Sequence, residues 1–140
     1  MSATHRLARL RALTPVERRV LGEALVLLPA TCATLRFAGL RRARALLAPI
    51  VRQDRTHEGL DAHAIARLVA IAARHAPFRA RCLAASLTLE SLLRRHGLEG
   101  RLRLGVRRHE GRIEAHAWVE HGGSALAGAG HAGFSAFEDA

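Results

Sequence analysis

Lysine, asparagine and tyrosine are absent from this 140-residue chain, and tryptophan and methionine occur once each. Aromatic residues make up only 4%, too few to build stacking platforms for bases, which counts against nucleic acid as a partner. Two cysteines, Cys32 and Cys82, make neither a disulfide framework nor a zinc knuckle. No HExxH or CxxC is present, and His116 and His121 fall on opposite faces of a strand that carries both, so no metal site is expected. No run of 18 residues is both apolar and free of charge, so no membrane span is expected. The stretch Val20–Leu28 follows Arg18 and Arg19 but is short and interrupted by Glu23. It reads as a buried amphipathic helix of a cytoplasmic protein rather than a secretion signal.

What is abundant is alanine, leucine, glycine and, above all, arginine, which supplies all 22 basic side chains. A GC-rich genome explains that bias. Its placement is uneven all the same: residues 1–55 hold 11 Arg against three acids, and residues 56–140 hold 11 Arg against nine. A basic half attracts an acidic partner, although solvated helix faces account for the charge equally well. The length fits a single domain over 1–140, divided into a basic helical part, 1–58, and a core, 59–137.

Thr14-Pro15-Val16-Glu17 has the form of a capping box with proline in the first turn. Val20, Leu21, Ala24, Leu25 and Leu28 then recur at helical spacing, and Pro29 should end or bend that helix. Helical stretches are expected over about 30–37 and 41–51, punctuated by Gly39. Asp61 caps a helix carrying Ile65, Leu68, Val69 and Ala72. The next helix begins near Cys82 and ends at Gly97, with Arg94, Arg95 and His96 in its last turn. After Gly100 the period drops to two. Leu102, Leu104 and Val106 define one strand, Glu110-Gly111 a turn, and Ile113, Ala115, Ala117 and Val119 the apolar face of a second. His116 and Trp118 share the other face, and Glu114 and Glu120 read as solvated. A short third strand over about 124–127 completes an antiparallel meander. Helices followed by strands make an α+β domain.

A nucleophilic cysteine reacts as its thiolate, and free Cys titrates at about 8.5, so it needs a helix N-terminus or an imidazolium beside it. Cys82 stands where the helix signals begin, and His116 lies on a following strand. That order resembles papain-like and transglutaminase-like enzymes. Taken singly, each residue has a plainer reading: a buried inert thiol, which fits Cys32, and one histidine among nine. Trp118 serves to shield a Cys–His pair, to form part of a substrate cleft or to fill the core.

Arg81-Cys82-Leu83, Leu92-Leu93-Arg94-Arg95-His96-Gly97-Leu98, Leu104-Gly105-Val106-Arg107 and Ala115-His116-Ala117-Trp118-Val119-Glu120 follow one another in order across residues 62–127. As a set they resemble the B2 proteins of lasso-peptide biosynthesis, transglutaminase-like leader peptidases related to the microcin J25 processing protein. The resemblance implies a cysteine peptidase with Cys82 as nucleophile and His116 as base, without a cofactor. It also implies a leader–core precursor peptide as substrate, a separate leader-recognition protein and a macrolactam cyclase as partners. The family's triad carries an Asp about a dozen residues after the His, whereas residues 124–131 here contain no acid, and Glu138 and Asp139 are the next. The third group is therefore unassigned. The competing readings are an inactive relative, an acyl transferase using the same residues, and a basic helical binding module.

Overall fold

The computed structural model describes residues 3–48, 60–75, 81–126 and 135–136. It begins with α1 (Ala3–Ala12), a helix with no buried residue and no counterpart in the sequence expectation. Thr14 then opens α2 (Pro15–Leu47). The Glu17 N–H donates to the Thr14 hydroxyl at 3.2 Å, and the Thr14 N–H donates to the Glu17 carboxylate at 2.8 Å, the reciprocal box that the sequence announced.

The break expected at Pro29 does not occur. The helix runs through it and leaves helical angles only at Gly39 (φ 80°, ψ 174°), so two of the three expected segments are one. An internal proline costs about 3 kcal/mol. Pro29 is exposed, while Val20, Leu21, Ala24, Leu28, Thr31 and Cys32 form one buried stripe on either side of it. Continuous packing against the other helices outweighs the lost hydrogen bond.

Asp61 caps α3 (Ala62–Arg74) by accepting from the Ala64 N–H at 2.7 Å. Its strongly apolar face, Ile65, Leu68, Val69 and Ala72, is buried as expected. The fourth helix, α4 (Arg81–Arg95), ends in a Schellman motif: the Leu98 N–H donates to the Leu93 carbonyl and the Gly97 N–H to the Arg94 carbonyl. A buried polar link joins α2 to α4, where the Thr88 hydroxyl donates to Thr31 at 3.3 Å. Thr31 in turn donates to the Leu27 carbonyl.

The strands β1 (Arg101–His109) and β2 (Arg112–His121) form the expected hairpin in the register Leu102↔Val119 and Leu104↔Ala117. Its two-residue turn, Glu110-Gly111, has positive φ at both positions, the arrangement whose twist matches that of the strands. β3 (Ser124–Ala125) pairs with β2, and β4 (Ser135–Ala136), unforeseen in the sequence, pairs with the far edge of β1. The sheet order is β3-β2-β1-β4, all antiparallel.

Leu102, Ala117 and Val119 are buried on the helix side of the sheet. Farther out along the same alternation Ala115 is exposed and Ile113 is 74% exposed, because the hairpin reaches beyond the helices that would cover it. Glu90 of α4 locks the layers together. Its carboxylate, almost wholly buried, accepts from the Leu102 N–H at 3.3 Å and pairs with Arg94 (3.3 Å) and Arg44 (3.8 Å). Among the described residues α2 is also long and apolar enough to cross a membrane, with a mean hydropathy of 1.5 over its most apolar window. One face of it is instead the main support of α3 and α4.

Candidate active site

α3 and α4 pack against each other, and the last turn of α3 and the first turn of α4 both reach one cavity. Ala84 and Leu87 are fully buried and fix the roll of α4. Cys82, Ala85, Ser86 and Leu89, spaced three and four apart, then share a stripe along a groove beside α3. Cys82 is the second residue of α4 and is exposed. It stands in the first turn of α4, at the positive end of the helix dipole.

β2 supplies the facing wall. β3 pairs with Glu120 and His121, and the Leu126 N–H donates to the Val119 carbonyl at 2.8 Å, so the outer edge of β2 over 116–118 has no strand neighbour among the described residues. Residues of both strand faces therefore reach one cavity of about 290 Å³, which His116, Ala117, Trp118 and Val119 line together with Cys82. A helix-start cysteine and a strand histidine thus border the same space, as the sequence order suggested. Ala66, Val69, Ala70 and Ala73 of α3 form its far side, with Arg74 at the rim.

His116 is held by its neighbour. The Trp118 ring stacks on it with centroids 6.0 Å apart and planes 19° from parallel. Trp118 is itself anchored: its indole N–H donates to the Glu120 carboxylate at 3.2 Å, and Glu120 pairs with Arg103 at 3.2 Å. The buried ring lies over Gly105, where a Cβ would come within 2.8 Å of the Trp118 ring and 2.9 Å of the Ser135 carbonyl. Only glycine fits that close approach without displacement. Trp118 therefore both fills space and supports the histidine.

Glu114 and Glu120, expected to be solvated, are partly exposed, and each is also tied to an arginine of β1: Glu114 to Arg107 directly opposite it, Glu120 to Arg103 on the diagonal. Glu114 accepts from the Arg107 guanidinium at 2.7 Å, and that hydrogen bond holds its carboxyl below the ordinary range. Cross-strand pairing on an open sheet face brings opposite charges together at positions that alternation alone leaves to solvent.

Cys32 is buried within α2, and burial pushes its thiol up from the ordinary value. No three metal-ligating side chains cluster among the described residues. Gly128, the position nearest the family's acid, lies outside the described residues, as do Glu138 and Asp139. Ser86 and Arg74 line the cavity without having been singled out in the sequence. The signal for Ser86 was its spacing of four from Cys82; Arg74 carried no signal beyond its place in the last turn of α3.

The profile of the Transglutaminase-like superfamily matches residues 24–138, which takes in the second half of the long helix as well as the core. No curated protein and no solved structure matches. The match extends well over half the chain, and it covers the cysteine helix, the histidine strand and the cavity between them. The chain belongs to the transglutaminase-like superfamily.

Proposed function

We propose that the chain is a cysteine peptidase that removes the leader from a ribosomally made precursor peptide during lasso-peptide maturation. The observation that carries the reading is the shared cavity: Cys82, exposed in a first helical turn, and His116, on a strand edge, line the same space. The ordered motifs from Arg81 to Glu120 support the narrower assignment to leader removal.

In the reaction, the Cys82 thiolate attacks the carbonyl carbon at the leader–core junction. The Cys82 backbone N–H, in the first turn of α4, donates to the developing oxyanion. The His116 imidazolium protonates the departing amine, which releases the core peptide, and leaves the leader as a thioester on Sγ. His116 then takes a proton from water as that water attacks the thioester, releasing the leader carboxylate and restoring the thiolate. The exposure of Cys82 lets water reach the acyl-enzyme.

A separate leader-recognition protein delivers the precursor and raises its local concentration at the cavity. The macrolactam cyclase consumes the freed core, and all three act in the cytoplasm where the precursor is made. Incubation of the purified chain with precursor, with and without the recognition protein, followed by mass spectrometry, tests the reading. Leader and core should appear, faster with the partner present. An intact precursor in both cases overturns the reading.

A further inference from the structure

We infer that the cavity selects a peptide segment with an aliphatic side chain next to a carboxylate, and that Arg74 reads the carboxylate. The inference rests on the peptidase reading for its biological setting, though not for its physical test.

α3 turns one stripe toward the cavity: Ala66, Val69, Ala70 and Ala73, spaced three or four apart, with Arg74 next in line after Ala70. Across from it Ala85 and Leu89 continue the same aliphatic lining on α4. Small side chains on facing helices leave a groove rather than a filled contact, with an apolar lining suited to an aliphatic side chain. Arg74, in the last turn of α3, and Cys82, in the first turn of α4, both line this groove, and both are exposed.

Arg74 is the single arginine among the described residues that line the cavity, and no carboxylate lines it. Six other arginines (Arg19, Arg44, Arg94, Arg95, Arg103 and Arg107) lie within 4.0 Å of a glutamate. Arg74 has no carboxylate partner among the described residues. A bound chain that reaches Cys82 through this groove meets aliphatic surface and then a guanidinium ready for a bidentate carboxylate contact.

Alkylation of Cys82 reads this without any peptide substrate, since the thiolate simply displaces iodide from carbon. Rates with anionic iodoacetate and neutral iodoacetamide should be measured by mass spectrometry for the wild type, Arg74→Gln and Arg74→Lys. The iodoacetate-to-iodoacetamide ratio should fall about three- to tenfold in Arg74→Gln and return largely in Arg74→Lys. The difference should shrink in 1 M salt. N-butyl iodoacetamide, with rates corrected to free cysteine, should gain severalfold over iodoacetamide, and Ala70→Leu, which fills the groove, should remove the gain. An unchanged anion ratio in Arg74→Gln overturns the inference. Equal slowing of both reagents also overturns it, because Arg74 would then serve the thiolate rather than a ligand. If the ratios behave as stated and no precursor is cleaved, the recognition site stands and the peptidase reading alone fails.

Discussion

Cys32 sits midway along α2 among the side chains that hold α3 and α4 to it, whereas Cys82 is exposed in the first turn of α4 at the cavity rim. The two thiols are chemically the same, and the fold separates their roles. Burial raises the energy of a Cys32 thiolate, so that thiol stays protonated and behaves as a small apolar group. Cys82 has solvent, a helix N-terminus and a histidine lining the same space. On the proposed reading reactivity is a property of position along a helix, and the contrast can be broken from either side.

The largest effect is expected from the partner of Cys82. Replacing His116 by Ala should lower precursor cleavage about 10²- to 10⁴-fold, with the circular dichroism spectrum retained. A next test acts on the scaffold that sets α4 against the sheet. Glu90→Ala leaves Arg44, Arg94 and the Leu102 N–H without their shared acceptor, and should cost about 2–4 kcal/mol in thermal or urea unfolding. Gly105→Ala forces a methyl group against Trp118 and should cost about 1–3 kcal/mol. The single tryptophan reports its own displacement by fluorescence, and cleavage should slow as His116 loses its stacked support.

The smallest effect is expected on the Cys32 side. Cys32→Ala should keep most of the cleavage activity. Its pH signature has a definite sign. A thiol whose folded pKa lies above the unfolded value of about 9.0 stabilises the fold below that pH and loses that contribution as pH rises toward the folded value. The substitution should therefore flatten the alkaline loss of stability, seen by urea unfolding across that range.

Much of this arrangement is legible in the sequence where the signal is local. The Thr14 box, the Asp61 cap, the Gly97 stop and the Glu110-Gly111 turn each depend on a few adjacent residues, and all are present. The change of period after Gly100 gives the hairpin and its register. Cys82 and His116 stand out because a helix start and a strand each leave a local mark. What depends on distant partners is not legible. The passage of α2 through Pro29 is decided by the stripe packed on α3 and α4. The pairing of Ser135–Ala136 with β1 joins residues some thirty positions apart through hydrogen bonds that leave no periodicity in two residues. Glu120 looks solvated until β1 brings Arg103 onto its diagonal, and Arg74 joins the cavity only through the packing of α3 against α4.

The most direct test of the central claim sets the two cysteines against each other in one sample. The native chain is treated with a limiting amount of iodoacetamide near neutral pH, the modified positions are mapped by peptide mass spectrometry, and the remaining cleavage of precursor is measured alongside. Labelling should fall on Cys82, with Cys32 labelled only after unfolding, and activity should fall in direct proportion to the fraction of Cys82 modified. Full labelling of Cys82 with cleavage intact, or equal labelling of Cys32 in the folded chain, would contradict the account.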